Sequence, residues 1–377
     1  MKAANLTMGT FNKVINLIAF YLPQFHPISE NDEWWGKGFT EWTNVARSVP
    51  LFSGHNQPQL PADLGYYDLR VPEVREEQAK LARSFGITGF CYYHYWFQGH
   101  RLLNRPFDEV ISSGNPDFPF CLCWANETWS RRWLGEERSI LLQQTYSDQD
   151  DVEHARSLMP AFADHRQLRV DGRPVFLIYR PLDLPNPRKT CATLRDVSLK
   201  HGLPDPFLIG VNAHCRGTDA RSLGFDHTLD FRPQLGALPA ALDESSTLAR
   251  LMRNMKKGIP KPWLKVYEYE EAVACMDDFV SMVPTIPSVF VDWDNTPRRG
   301  ERGIVIRNGS PEKFERILQS AIENSPRVGS SERFVFINAW NEWAEGNHLE
   351  PDLVNGHGYL QAVANALAHS DSRTKTT

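Results

Sequence analysis

Two glutamates stand three residues apart in Asn341-Glu342-Trp343-Ala344-Glu345-Gly346. At that spacing both carboxyls fall on one side of a helical turn, with Cβ atoms about 5–6 Å apart. Cleavage of a glycosidic bond commonly uses such a pair, one member protonating the departing oxygen. Mutual repulsion in an aromatic, partly dry site raises one of the two pKa values toward neutrality, as a general acid requires. An arbitrary E-x-x-E is more often a solvated acidic turn. This one follows a buried apolar run and carries Trp340 and Trp343, so Glu342 and Glu345 are the candidate catalytic residues.

Other polar and aromatic residues recur just past short apolar runs. They are Tyr21 and His26; Tyr93, His94 and Trp96; Trp124, Asn126, Glu127, Trp129 and Arg132; Asp292, Trp293 and Asn295; and Asn341 and Trp343. Trp35 and Trp42 join them from a long connection over residues 27–69. Together they form the candidate substrate-binding set. Pyranose rings have apolar C–H faces that pack on Trp and Tyr. Their hydroxyls need the paired donors and acceptors of Asn, Asp, Glu and Arg. Glu127 reads either as a further acid/base or as an orienting residue paired to Arg131 or Arg132. Arg131-Arg132 and Arg298-Arg299 read either as anion binders, for a sugar diphosphate for instance, or as ion pairs at a rim. His26, His94 and His214 lack the HExxH or CxxC spacing of a metal site, so neither metal nor cofactor is expected. The chain has no GxSxG for a hydrolase triad.

The elements that position these residues follow from eight apolar runs, at 14–21, 88–93, 118–124, 175–179, 207–211, 228–231, 289–293 and 334–340. Continuous apolar runs read as strands buried on both faces, as in a parallel sheet. Helical stretches lie between them at 72–85, at 148–162 behind a Ser147 cap, from Ser310-Pro311-Glu312 onward, and at 358–369. Eight strands alternating with helices predict a single (β/α)8 TIM barrel over residues 14–370, with short tails at 1–13 and 371–377. A doubly wound open sheet is the runner-up. Its Gly-rich phosphate turn is missing, because the first run continues as Leu22-Pro23-Gln24-Phe25-His26-Pro27. Barrel enzymes carry their chemistry at the C-terminal strand ends. Ten of the 11 Trp fall at such ends or in the loops that follow, Trp263 being the exception.

The net charge of −5 argues against a dedicated nucleic-acid binder. A hydrophobic content of 41% with 23% charged residues excludes a disordered chain. The six cysteines form no CxxC pair and read as buried thiols of a reducing compartment. The N-terminal residues are too polar for a signal peptide, and no run of about 18 apolar residues is present. A cytoplasmic protein with an oligo- or polysaccharide substrate is therefore expected, with no nucleic-acid partner.

The segments Ala19-Phe20-Tyr21-Leu22-Pro23-Gln24-Phe25-His26-Pro27 and Asn31-Asp32-Glu33-Trp34-Trp35-Gly36-Lys37-Gly38-Phe39-Thr40-Glu41-Trp42 resemble the opening of the WbsX family. The residues 89–96, Cys123-Trp124-Ala125-Asn126-Glu127, Trp293-Asp294-Asn295-Thr296-Pro297-Arg298 and the 341–346 segment resemble it too. That family is labelled as glycosyltransferases of surface-polysaccharide loci. It is also similar to glycoside hydrolase family 99, the endo-α-mannosidases, which have (β/α)8 barrels. The resemblance implies that Glu342 takes the proton of a sugar 2-hydroxyl, giving a 1,2-anhydro sugar with retention, and that Glu345 acts as acid and then base. Ala344 stands where those hydrolases usually have His. The function expected is a retaining, endo-acting hydrolase of a bacterial-type polysaccharide. A glycosyltransferase of O-antigen, capsule or exopolysaccharide synthesis is the first alternative, and a non-catalytic glycan-binding protein the second.

Overall fold

A computed structural model describes residues 15–131, 136–214, 217–238, 263–277 and 284–374. Eight parallel strands close into a barrel: β1 (Asn16–Tyr21), β2 (Gly89–Phe97), β3 (Phe120–Trp124), β4 (Arg173–Ile178), β5 (Phe207–Val211), β6 (His227–Asp230), β7 (Ile286–Phe290) and β8 (Glu332–Asn338). Each strand pairs with the next, and β1 closes the ring by pairing with β8 at Asn16↔Phe334 through Ala19↔Ile337. Every apolar run read as a strand is one. The boundaries differ most at β2, which continues four residues past Tyr93 to Phe97, and at β7, which runs Ile286–Phe290 against the expected 289–293.

Strand side chains alternate between the two faces of a sheet. Ile18, Phe20, Cys91, Cys121, Cys123, Leu177, Ile209, Leu229 and Phe336 therefore fill the barrel interior. Their neighbours Leu17, Ala19, Tyr21, Phe90, Tyr92, Leu122, Trp124, Phe176, Leu208 and Ile337 face outward and pack under the helices. This parity matters for the site, because only inward residues near the strand tops can reach a central ligand.

The predicted helices occur at Pro72–Ser84, Asp148–Ala163, Pro311–Asn324 and Gly358–Thr374. Ser147 and Ser310 cap two of them, accepting the Asp150 and Lys313 amides at 3.1 and 3.3 Å. Further helices at Arg105–Ser113, Pro187–Lys200 and Tyr269–Asp277 complete the outer layer. The long connection after β1 is itself folded, with helices at Ser29–Trp35 and Glu41–Arg47, and it crosses toward the top of β8. Among the described residues, no helix is long and apolar enough to cross a membrane.

Candidate active site at the strand tops

A cavity of about 360 Å³ opens at the C-terminal strand ends, within the range of small-molecule sites. Its centre is a buried charge cluster. The Arg298 guanidinium lies 2.6 Å from Glu41 Oε1, 2.8 Å from Glu342 Oε2 and 2.6 Å from Glu345 Oε1. Three segments far apart in sequence supply it. Glu41 opens the helix Glu41–Arg47, its amide donating to the Gln24 carbonyl at 3.0 Å. Arg298 sits on the helical turn Thr296–Arg299. Glu342 and Glu345 bracket the single turn Trp343–Glu345 just above β8.

The Arg298 turn is itself tied down. Asp294 Oδ1 accepts the Thr296 amide at 2.9 Å, while its Oδ2 accepts from Gln57 Nε2 at 2.6 Å and lies 2.7 Å from His55 Nε2. Gly346 ends the glutamate turn in the left-handed region at φ +60, and a Cβ there would lie 3.1 Å from the Asp294 backbone nitrogen. This position needs glycine for both its conformation and its closeness to Asp294.

Three carboxylates against one guanidinium would leave the cluster doubly negative in a nearly dry site, which burial opposes. Burial pushes the Glu342 carboxyl up to about 8, Arg298 opposing the shift and Glu345 and Glu41 adding to it. Burial raises Glu345 as well, with Arg298 again opposing and Glu41 and Glu127 adding to the rise. Burial works against the Arg298 charge, but Glu41, Glu345 and Glu342 more than restore it and hold its pKa above the usual arginine value. The glutamate pair thus keeps a proton near neutral pH, titrating as a unit. Glu342 is the deeper member, with its side chain 8% exposed against 21% for Glu345.

Six residues of the expected binding set line the cavity with the two glutamates: Trp35, Tyr93, Glu127, Trp129, Trp293 and Asn295. Glu127 pairs with Arg180 at 2.8 Å, where the sequence pointed to Arg131 or Arg132. Arg132 lies outside the described residues. The others stand elsewhere, and strand parity explains most of them. Tyr21, Trp96 and Trp124 face outward into the layer beneath the helices. Trp96 Nε1 donates to Asp150 at 2.9 Å, and the Tyr21 hydroxyl donates to Gln78 at 2.7 Å. His94 also points outward, 3.0 Å from His154 between ring nitrogens, and burial lowers its pKa to about 3. His26 is buried under the loop, pushed down to about 4 by burial. Trp42 and Trp343 pack on each other at 5.4 Å, their indole N–H groups donating to the Tyr67 carbonyl and to Glu350. Asp292 accepts the Trp293 amide at 2.8 Å, and burial pushes its carboxyl up to about 7.

Asn126 and Asn341 clamp backbone. Asn341 Oδ1 accepts the Leu22 amide at 2.7 Å and its Nδ2 donates to the Leu22 carbonyl at 3.0 Å, joining the top of β8 to that of β1. Asn126 treats Arg180 in the same way, at 2.8 and 3.0 Å, joining β3 to β4. Asn212 accepts the Phe231 amide and Asn347 the Val291 amide, each at 3.0 Å.

The site also holds residues that sequence reading left out of the set. Arg298 and Glu41 are the principal ones. Both stand in the quoted motifs, but a pairing across 257 residues leaves no local pattern. Tyr95 and Tyr179 line the cavity beside Tyr93 because they too face inward, and so do Gln24, Asn31 and Asn338. Among the described residues, no group of three or more His, Cys, Asp or Glu is placed to hold a metal ion.

A family profile described as "Glycosyltransferase WbsX" matches residues 17–363. The uncharacterized protein WxcX of Xanthomonas campestris pv. campestris strain B100 is 42% identical over 359 residues, covering 94% of this chain and 50% of that protein. The WxcX protein of strain ATCC 33913 is 42% identical over 358 residues, with the same coverage. The chain thus spans about half the length of these relatives. A solved GH99 endo-α-mannosidase from Bacteroides thetaiotaomicron superposes with a TM-score of 0.56 at 17% identity, over 96% of this chain and 99% of that one. A structure described as a glycoside hydrolase-like protein gives 0.56 at 15% identity, over 97% of each chain. At these identities the structural likeness speaks for the barrel fold. The chain belongs to the WbsX glycosyltransferase family.

Proposed function

We propose that the protein cleaves glycosidic bonds within a bacterial-type polysaccharide, using Glu342 and Glu345 in a retaining mechanism. The observation that carries this reading is the pair of buried glutamates sharing Arg298 inside an aromatic-lined cavity. Such a cluster keeps a proton available at neutral pH, which protonation of a departing sugar oxygen needs. Glu345, the more exposed carboxyl, gives its proton to that oxygen. Glu342, deeper and nearer to Tyr93 and Tyr95, takes the 2-hydroxyl proton once the bound sugar has drawn the shared proton onto Glu345. The freed oxygen attacks the anomeric carbon as the bond to the departing oxygen breaks. Water then opens the anhydro ring, with Glu345 accepting its proton and Glu342 returning one to the 2-oxygen.

The family description favours a second reading, transfer from a nucleotide sugar. Arg298 does not serve it as a diphosphate anchor, because three carboxylates already occupy its guanidinium. Incubation with purified surface glycans, and separately with nucleotide sugars, distinguishes the two. Hydrolysis predicts glycan fragments without any nucleotide, lost in Glu345→Gln with the fold intact. Product formed only with a nucleotide sugar overturns it.

A further inference from the structure

Two side chains on the β1 side of the cavity are buried without hydrogen-bond partners. Asn31 is fully buried, and neither its amide oxygen nor its amide nitrogen has a partner. Gln24 is 4% exposed, and its amide nitrogen is equally unpaired. Both line the cavity. Buried polar atoms in folded proteins are overwhelmingly hydrogen-bonded, so orphans grouped at a cavity wall call for a ligand.

Their placement ties them to the chemistry. The Gln24 carbonyl accepts the amide of Glu41, one of the three carboxylates around Arg298. Asn31 belongs to the helix Ser29–Trp35, whose last residue lines the same cavity. A primary amide with both ends unpaired donates to one hydroxyl oxygen and accepts from the next, which matches a vicinal diol. The Trp35 ring supplies apolar area for the C–H face of the same sugar. Gln24, Asn31 and Trp35 carry no cation that could pair with a ring carboxylate, so an uncharged ring is the better fit to this wall.

We propose that Gln24 and Asn31 form a hydroxyl-recognising subsite for the sugar unit next to the scissile bond, selecting an uncharged ring that presents a vicinal diol. This rests on the glycosidic reading above. The experiment measures calorimetric binding to the Glu345→Gln protein, which leaves the glycan intact. The probes are neutral gluco-, manno- and galacto-configured oligosaccharides and one containing a uronate. A neutral probe is expected to bind, with about a tenfold loss in Asn31→Ala and a smaller loss in Gln24→Ala. Asn31→Leu keeps the approximate shape, adds no charge and lacks both hydrogen-bonding groups, so it gives the same loss in a protein that folds. Unchanged affinity in all three variants, tighter binding of the uronate probe, or no binding of any neutral probe overturns the subsite. Failure of the catalytic reading looks different: the unaltered protein cleaves nothing while the Asn31 effect on binding persists.

Discussion

Replacing Arg298 by Met removes the one cation that three carboxylates share at 2.6–2.8 Å. Breaking a buried charge pair by deleting one partner typically costs about 3–5 kcal/mol, because the remaining charge stays buried and unpaired. Here the carboxyls have an escape, since they can take up protons. Glu342 is already raised to about 8 by burial, against an ordinary value near 4.5. A carboxyl raised in the folded state binds its proton more tightly there than in the unfolded chain. Its contribution to stability is fully present below about pH 4.5 and is lost as pH rises through about 8. Without Arg298 the glutamates rise further and the loss above neutrality deepens. Arg298→Met is therefore expected to destabilise by about 3–5 kcal/mol near pH 8 and by about 1–2 kcal/mol near pH 5. Urea denaturation of both proteins at the two pH values measures this, and glycan cleavage should be abolished at both. An equal penalty at the two pH values, or one below about 1 kcal/mol near pH 8, would refute the claim that Arg298 compensates buried carboxylates.

Cleavage activity should fall as pH rises through about 8, where the glutamate pair loses its proton, and a kcat/KM profile flat across that range would contradict the assignment. Asn341→Ala leaves the buried Leu22 amide and carbonyl without partners and should cost about 2–4 kcal/mol in urea denaturation. Trp35→Ala should weaken glycan binding with a stability change below about 1 kcal/mol, because the ring lines the cavity. Trp124→Ala, deep beneath the helices, should cost about 3–5 kcal/mol, and the opposite pattern in a paired binding and denaturation experiment would reverse their placement.

The barrel was legible because each strand is buried on both faces, so eight apolar runs mark eight strands. The same property hid the parity. Tyr93, His94, Tyr95 and Trp96 read alike in sequence, yet alternation sends the two tyrosines into the cavity and the other two under the helices. The rule that neighbours cannot both face inward was available in advance, but it needs one fixed residue to set the phase. Glu342 and Glu345 announce themselves by local spacing. Arg298 and Glu41 do not, because the geometry that joins them arises only when the barrel closes. Asn126 and Asn341, expected to bind substrate, hold backbone groups here, since an amide suited to a sugar hydroxyl is equally suited to a peptide group.

Those amides have a consequence for how such a scaffold changes over time. Each asparagine supplies both halves of a peptide-like rung where the ladder between neighbouring strands has run out. The rim is therefore stitched by side chains, independently of the loops that leave it. Apart from the segments that carry Glu41 and Arg298, which pair around Glu342 and Glu345, a loop above a stitched seam can lengthen, shorten or exchange its wall residues while the plane carrying those two glutamates keeps its shape. Under the proposed function, substrate choice and bond chemistry are in that sense mechanically uncoupled, and one such rim would serve glycans that differ in the rings they present.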